Sequence, residues 1–367
     1  MSPVPAVTAR PLRVCLVAHA RYPVCEPFAG GLEAMTFHLA AELVRRGHEV
    51  SLFAAPGSDP ALDVRELPVV GPAQPRTARL DTDAPPGVEM LEHHAYLALM
   101  LDLAAHGSRR FDVVHNNSLH HLPVAMAPAL GDLPVITTLH TPPLWWLRSA
   151  IELDGGRSRF VAVSEHTAQA WASTVHCEVV HNGVDLTRWP AGDGGGPAVW
   201  SGRITPEKAP HEAIDAARLA GVPLVLAGPV MDEDYHRRMV VPRLGGSVRH
   251  LGHLDQQELA GLLGRATVAL VTPAWDEPYG LVAAEAMACG TPVAAYARGA
   301  LPEVLDDRSG RLARPGDPAD LARALLEARE LDRAGVRAAA HERTSLTRMV
   351  DDYERLYRGA CLQGVAA

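Results

Sequence analysis

Short apolar runs alternate with segments of helical periodicity along the first half of the chain. The runs predict strands at residues 12–18, 50–54, 111–115, 134–139, 159–163 and 178–181. Residues 32–46 carry apolar positions at the spacing of an amphipathic helix, and Gly47 stands where such a helix ends. Continuous apolar runs are typical of strands buried on both faces, so this half is predicted to form a parallel, doubly wound α/β sheet.

The same alternation of apolar runs and helical segments begins again after residues 191–197, a glycine-rich stretch with the composition of a linker. Strands are predicted at 198–201, 222–227, 248–251, 268–271 and 292–295, and helices at 209–220, 232–244, 259–264 and 281–288. A last amphipathic helix is predicted at 349–362. We therefore expect two Rossmann-like domains, residues 1–187 and 188–345, followed by a C-terminal helix within 346–367. Ligands of such sheets bind at the carboxyl ends of the strands, which places the expected site in the cleft between the domains.

Composition narrows the class of protein. Of 367 residues, 47% are hydrophobic and 21% charged, which is ordinary for a globular chain. No apolar run reaches the roughly 18 residues of a transmembrane helix, and the N-terminus lacks the pattern of a secretory signal. The five cysteines are scattered without a CxxC pair, so we expect a cytoplasmic protein without disulfides. The net charge of −9 argues against nucleic acid as a partner and against strong membrane association.

Glycines and cations stand where a phosphate could bind in both halves. Gly30 and Gly31 directly precede the first predicted helix, so the backbone there can approach an anion closely. Arg203 follows the strand at 198–201, and Lys208, the single lysine among 34 basic residues, precedes the next helix. Two cations at the end of a strand that faces a cleft can neutralise a diphosphate. Solvated surface charges are the alternative, and the missing GxGxxG pattern disfavours a nicotinamide cofactor.

Two glutamates flank the start of the helix predicted at 281–288. Glu277 lies in a loop that contains Pro278 and Gly280, whereas Glu285 falls one turn into an apolar helix. A carboxylate in such surroundings is costly unless hydroxyl groups hydrogen-bond to it, and a sugar or a ribose diol would supply them. We therefore expect both carboxylates to bind hydroxyls, the alternative being a helix with one glutamate on its solvated face.

Taken together, these motifs resemble glycosyltransferase family 4, whose fold is known as GT-B. The matching pieces are GGLE at 30–33, TLHT at 138–141, VSEHT at 163–167, HNGVD at 181–185, GRITPEK at 202–208, LGHL at 251–254 and EPYGLVAAEAMACGTPV at 277–293. They follow the family's order, and the paired glutamates together with the Arg/Lys segment are its specific part. The resemblance implies two Rossmann-like domains that face each other, with residues 346–367 crossing back to the first. Alanine follows Lys208 where the family more usually has glycine.

The resemblance also implies an activity, the transfer of a sugar from a nucleotide diphosphate sugar, with retention of configuration. A UDP-sugar is the commoner donor among similar sequences, and neither a cofactor nor a metal ion is implied. Arg203 and Lys208 would hold the diphosphate and stabilise the leaving group. Glu277 and His140 would lie beside the transferred sugar, and Glu285 would bind the ribose. The other donor-binding positions would be Gly30, Gly31, His253, Leu254, Tyr279, Gly280, Leu281 and Val282.

The acceptor is expected to bind in the first domain. His19 follows the first strand, and His115 ends the strand at 111–115 and is expected to point into the cleft. Trp145 and Trp146 offer an aromatic wall that could stack on a sugar ring, although core packing explains them equally well. Because the chain is acidic, a soluble small molecule or glycan is preferred to a lipid acceptor on an anionic membrane.

Two alternatives remain open at this point. His19 stands where inverting enzymes of the same overall fold can place a catalytic base, so an inverting transferase or a nucleotide-sugar epimerase is the alternative activity. A metal site is not expected: Asp81-Thr82-Asp83 matches the DxD signature of another glycosyltransferase fold but lies in a proline-rich stretch without a strand. The histidine doublets at 93–94 and 120–121 lack a third ligand at metal spacing.

Overall fold

Seven parallel strands form the first sheet of the computed structural model, which describes residues 10–72 and 87–364. The strands are β1 Arg13–Val17, β2 Glu49–Phe53, β3 Arg65–Leu67, β4 Val113–Asn116, β5 Val135–Leu139, β6 Arg159–Ala162 and β7 Cys177–Val179. Their order is β3-β2-β1-β4-β5-β6-β7, so the chain starts in the middle and winds outward in both directions. Helices cover both faces of the sheet, so the central strands β1, β4 and β5 are almost entirely buried.

The second sheet repeats this topology with six strands. They are β8 Ala198–Ser201, β9 Leu224–Ala227, β10 Val248–His250, β11 Ala269–Val271, β12 Val293–Tyr296 and β13 Gly310–Ala313. The order β10-β9-β8-β11-β12-β13 again reverses next to the first strand. Such a reversal leaves a crevice at the carboxyl edge of the sheet, where ligands bind. The predicted α/β fold class, with two doubly wound parallel sheets, is confirmed.

Helices connect the strands and pack on both faces of the sheets. In the first part of the chain they are α1 Gly31–Arg45, α2 Gly87–Arg110, α3 Leu122–Ala125, α4 Trp145–Asp154 and α5 Glu165–Trp171. In the second they are α6 Pro210–Ala220, α7 Glu233–Tyr235, α8 Gln256–Arg265, α9 Leu281–Ala288, α10 Leu301–Val304, α11 Pro318–Ala328, α12 Arg333–Arg343 and α13 Leu346–Gly364. Among the described residues, no helix is both long enough and apolar enough to cross a bilayer.

The structure contains elements that the sequence did not predict, and it breaks one predicted helix. The unpredicted helices are α2, α3, α4, α5, α10, α11 and α12. The strands β3 and β13 were not predicted, because three or four residues at an edge carry too little hydrophobic pattern. The helix predicted at 232–244 is α7 followed by a π turn, His236–Val240, and a 3₁₀ turn, Val241–Arg243. Pro242 explains this ending, since proline lacks the N–H that a continuing helix needs. Asp81-Thr82-Asp83 lies outside the described residues.

The last helix, α13, completes the core of the first sheet. Its buried face joins the cluster formed by β1, β2 and α1, and consists of Met349, Val350, Tyr353, Tyr357 and Ala360. Arg46 at the end of α1 forms ion pairs with Asp351 at 2.6 Å and with Glu354 at 2.7 Å. The chain passes between the two sheets twice, once after β7 and once before α13, and these two segments lie side by side. There the Val184 N–H donates to the Thr344 carbonyl at 2.8 Å. The domain limits near 187 and 345 stay predictions.

Candidate active site

A cleft of about 570 Å³ lies between the two sheets and is lined from both sides. His19, just after β1, lines it from the first sheet, and Arg203 and Gly228, just after β8 and β9, line it from the second. These positions are the carboxyl ends of central strands, where the reversal of strand order leaves room for a ligand. The fold therefore brings the loops of both sheets to one site.

Two helix N-termini face each other across this cleft. Helix α1 begins at Gly31 and α9 begins at Leu281, and both residues line the cleft. A Cβ atom on Gly31 would lie 3.0 Å from Leu281 Cδ1, so the two helix ends are in contact distance. The first turn of a helix leaves backbone N–H groups unpaired and carries a partial positive charge, which favours an anion. In the first turn of α1 the buried carboxylate of Glu33 offsets the partial positive charge of that helix end. Glu33 was not predicted as part of the site.

Lys208 and Glu277 form an ion pair on the second-domain wall. The Lys208 Nζ lies 2.6 Å from Glu277 Oε2, and both side chains are mostly buried. The indole Nε1 of Trp275 donates a second hydrogen bond to the same oxygen at 3.2 Å, and its ring lies 5.4 Å from Nζ. The carboxylate is therefore held by two donors from different elements. Trp275 was not predicted from the sequence, although it stands close before Glu277 in the chain.

Arg203 is the less constrained of the two cations. Its guanidinium lies 4.0 Å from the Glu207 carboxylate, and its side chain is 41% exposed. Beside it, the backbone that follows β8 and the backbone that follows β9 are in close contact at two glycines. A Cβ on Gly228, where φ is +143°, would lie 1.8 Å from the Gly202 carbonyl oxygen. Only glycine permits this approach, which keeps the floor of the cleft open next to Arg203.

The loop that carries Glu277 is fastened to the first domain. The hydroxyls of Ser164 and Thr167 donate to the Pro278 carbonyl at 2.7 and 3.2 Å. The carboxylate of Glu303 in α10 accepts the backbone N–H groups of residues 165 and 166, at the start of α5, at 2.8 and 2.6 Å. The VSEHT motif thus connects the two domains, and its contacts set the position of the Glu277 loop.

Glu285 lies in α9, one turn beyond the part of that helix that lines the cleft. Its side chain is half-buried among alanines and is not itself part of the cleft lining. Within residues 10–72 and 87–364 no side chain hydrogen-bonds to its carboxylate. Burial raises the pKa of Glu285 to about 7, because the charged form loses water without gaining a partner.

Two histidines line the cleft from the first domain. The Nε2 atom of His140 lies 3.0 Å from Asn117 Oδ1, which places the ring proton on Nε2 and leaves Nδ1 as an acceptor. Burial lowers the pKa of His140 to about 3, with a smaller contribution from the charge of His19. Burial also lowers the pKa of His19 itself. Both imidazoles are therefore neutral at physiological pH.

Unpaired polar atoms mark the wall around His140. Buried atoms without a protein partner in the described segments include Asn117 Nδ2, Thr141 Oγ1 and Asn182 Oδ1, and the last two residues line the cleft. Buried polar groups are normally satisfied, so these atoms are suited to a hydroxylated ligand. Sequence reasoning quoted the motifs that contain Thr141 and Asn182 without assigning these residues a role.

The remaining donor-side candidates come together in the cleft. The lining includes Gly30, Gly31, His253, Leu254, Tyr279, Gly280, Leu281 and Val282. They come from α1, the loop after β10 and the start of α9. Residues from three separate motifs thus meet at one surface.

The structure corrects the prediction for three acceptor candidates. His115 does not reach the cleft: it is fully buried, with Nδ1 2.7 Å from the Tyr357 hydroxyl and Nε2 2.8 Å from Thr138 Oγ1. Trp145 and Trp146 do not line the cleft either. Trp145 is 78% exposed, and the Trp146 indole donates to the Leu119 carbonyl at 2.9 Å. Of the four candidates only His19 lies in the cleft.

Replacing His115 by alanine should lower the free energy of unfolding by about 2–4 kcal/mol, because it opens a cavity and removes the hydrogen-bond partner of the buried Tyr357 hydroxyl. Chemical denaturation measures this change, and the KM for acceptor should stay as in the wild type. His140→Ala is the matched control and should impair turnover more than stability. Unchanged stability of His115→Ala with a raised acceptor KM would contradict the structural role.

One further expectation is wrong in the structure. The histidine doublets were expected to lack a third ligand, yet His93, His120 and His121 bring ring nitrogens within 4.8 Å of one another. The sequence could not show this, because α2 and the loop after β4 approach only in the folded chain.

Two doubly wound sheets that face each other across a cleft have the architecture of the GT-B fold. Residues 29–188 match the family described as Glycosyltransferase Family 4, and residues 195–343 match Glycosyl transferases group 1. Glycogen synthase of Mycobacterium tuberculosis (strain CDC 1551 / Oshkosh) is 31% identical to this chain over 388 residues, covering 92% of the chain and 90% of the relative. The chain belongs to glycosyltransferase family 4, as its motifs predicted.

A further relative agrees with this assignment, and solved structures share the fold. D-inositol 3-phosphate glycosyltransferase of Mycolicibacterium gilvum (strain PYR-GCK) is 30% identical, with 84% of this chain and 80% of the relative covered. The Anabaena Alr3699/HepE structure in complex with UDP and glucose superposes with a TM-score of 0.74 at 18% identity, covering 95% of this chain and 100% of that one. AviGT4, a glycosyltransferase involved in Avilamycin A biosynthesis, gives a TM-score of 0.69 at 22% identity and covers 96% and 98%. These structural likenesses show the shared fold.

Proposed function

We propose that this enzyme transfers a sugar from a nucleotide diphosphate sugar, a UDP-sugar in first preference, to a hydroxyl of a soluble small molecule or glycan. In this proposal the anomeric configuration is retained and no metal ion takes part. The observation that carries it is the meeting of Arg203, Lys208 and the N-terminus of α9 in one cleft. The relative named glycogen synthase and the Alr3699/HepE complexes with UDP and UDP-glucose support this donor class.

The chemistry follows from where negative charge develops. The bond between the anomeric carbon and the diphosphate oxygen breaks, and the leaving diphosphate gains charge. Arg203, Lys208 and the first-turn N–H groups of α9 stabilise that charge, since preorganised donors are most effective in a site shielded from water. The acceptor oxygen bonds to the anomeric carbon, and its proton passes to an oxygen of the leaving phosphate.

Glu277 acts in this proposal by binding sugar hydroxyls rather than as a covalent nucleophile. Its carboxylate already accepts hydrogen bonds from Lys208 and Trp275 on one oxygen, Oε2. A carboxylate neutralised by an ammonium is a weak nucleophile, and the other oxygen is the one left to accept from hydroxyl groups. His140, neutral and anchored by Asn117, lies beside the transferred sugar.

The nucleoside is assigned to the second domain. Glu285, which has no protein partner among the described residues, would accept hydrogen bonds from the two ribose hydroxyls. His253 and Leu254 would border the base. The five cysteines form no disulfide, and Cys15, Cys177 and Cys289 are buried as free thiols, which supports the proposed cytoplasmic location.

An inverting transferase or an epimerase that uses His19 as a base is the second candidate, because His19 lines the cleft. In the described part of the chain no carboxylate hydrogen-bonds to its imidazole. A base without such a partner is less well oriented and its cationic form is less stabilised. We therefore rank this alternative below retention.

Thermal unfolding with a panel of UDP-, GDP-, ADP- and dTDP-sugars tests the donor proposal. A ligand at about 100 times its Kd stabilises the folded state by about 2.7 kcal/mol, so a UDP-sugar should raise the melting temperature by several degrees. The same shift should persist in EDTA. No shift with any nucleotide sugar would overturn the proposal, and a larger shift with another base would reassign the donor.

The stereochemical proposal needs a separate measurement. Proton NMR of the freshly formed product gives the coupling constant of the anomeric proton, which distinguishes the two configurations. Retention relative to the donor is expected. Inversion would move the assignment to the His19 mechanism, and conversion of the donor sugar without acceptor would indicate an epimerase.

A further inference from the structure

Three histidines gather on the first domain, away from the donor-binding wall. His93 belongs to the second turn of α2, whereas His120 and His121 lie in the loop between β4 and α3. Their ring nitrogens all lie within 4.8 Å of one another, and all three side chains are half-buried. The rings of His120 and His121 stack with centroids 4.4 Å apart, and each centroid lies 5.9 Å from that of His93.

Imidazole is a good metal ligand when it is neutral, because one of its ring nitrogens then carries no proton. Neutral imidazole is the nitrogen ligand that zinc, copper and nickel prefer, whereas magnesium and calcium prefer oxygen.

We propose that His93, His120 and His121 bind one divalent transition-metal ion of the zinc class, with the fourth coordination position left to an oxygen ligand. With metal–nitrogen bonds of about 2.1 Å, tetrahedral ligands lie about 3.4 Å apart, so small side-chain rotations must draw the three rings together. Three protein ligands and one open position are the arrangement of zinc sites that bind a further ligand.

The ion would also replace one existing hydrogen bond. The His120 Nδ1 accepts the Leu122 N–H at 3.2 Å. If His120 ligates through Nε2, its proton moves to Nδ1, and this bond is lost. The bond is long and spans only two residues, so three metal–ligand bonds outweigh it.

The site lies directly behind the acceptor side of the cleft. Leu119, next to His120, lines the cleft. Tyr96, whose ring stacks on His120 at 4.4 Å, donates its hydroxyl to the Ala18 carbonyl at 2.8 Å and accepts the Ala20 N–H at 3.1 Å. Those two backbone groups flank His19. A bound ion would therefore tie α2 to the loop that forms this wall.

Calorimetric titration of the untagged, EDTA-treated full chain with Zn²⁺ tests the site. One ion per chain is expected, with a rise in melting temperature that Mg²⁺ does not produce. His93→Ala should weaken Zn²⁺ binding at least tenfold and remove the rise. His94→Ala, a neighbouring histidine on the same helix, is the matched control and should bind as the wild type does.

The outcomes separate this site from the proposed transferase function. His93→Ala should keep the wild-type circular dichroism spectrum and its thermal shift with the donor sugar nucleotide. If His93→Ala does not fold, His121→Ala provides the same comparison. Absence of heat with Zn²⁺, or equal weakening by His93→Ala and His94→Ala, would overturn the metal site and leave the donor proposal untouched.

Discussion

Replacing Lys208 by methionine should lower the rate of sugar transfer by about two to three orders of magnitude at saturating donor. The loss of one preorganised donor to a developing anion has an effect of this size, about 3–4 kcal/mol in the barrier. Methionine keeps most of the side-chain volume and removes only the charge. Steady-state kinetics with the donor identified by thermal unfolding measures the effect.

The ion pair with Glu277 adds a second consequence. Removing the ammonium leaves a carboxylate that is 12% exposed and, among the described residues, has Trp275 as its one remaining donor. The free enzyme should therefore also lose stability. The double variant Lys208→Met/Glu277→Gln removes that unpaired charge and should recover the melting temperature but not the turnover. Recovery of turnover in the double variant would mean that Lys208 only neutralises Glu277, and would contradict its role at the diphosphate.

Replacing Glu285 by glutamine should stabilise the free enzyme above neutral pH and abolish the thermal shift with the donor. The pKa of Glu285 is raised to about 7 in the folded state, so the folded protein holds a proton that the unfolded chain releases near pH 4.5. The contribution of Glu285 to the free energy of unfolding therefore falls as pH rises between these two values, by up to about 3 kcal/mol, and is lowest above pH 7. Glutamine cannot ionise, so it removes this dependence.

Melting curves of wild type and Glu285→Gln at pH 5 and pH 8 test whether ionisation of Glu285 destabilises the folded protein. The two proteins should unfold at similar temperatures at pH 5, and the variant should be the more stable at pH 8. Glu152→Gln, an exposed glutamate in α4, is the control and should change neither stability nor donor binding. A variant that is less stable at pH 8, or that still binds donor as the wild type does, would contradict the assignment to the ribose.

The site was predictable to the extent that it lies in local motifs. Gly31, Arg203, Lys208 and Glu277 each follow a strand or precede a helix, and the doubly wound topology brings such positions to one edge. His115 shows why the position of a residue along a strand does not predict whether it lies in the cleft. A residue at the end of a buried strand can face either side of the sheet, and its hydroxyl partner, Tyr357, belongs to a helix 242 residues later.

The alternation of strands and helices, the two-sheet architecture and the family were predictable from the sequence alone, because they depend on hydrophobic periodicity and on short motifs. Short edge strands such as β3 and β13 were not. Only the tertiary structure decided which charges are paired, which histidines meet and which polar atoms stay without a partner. Lys208 and Glu277 are 69 residues apart, and His93 meets His120 across two elements. Such contacts depend on side-chain distances of a few ångströms, which packing of the whole chain sets and local pattern does not encode.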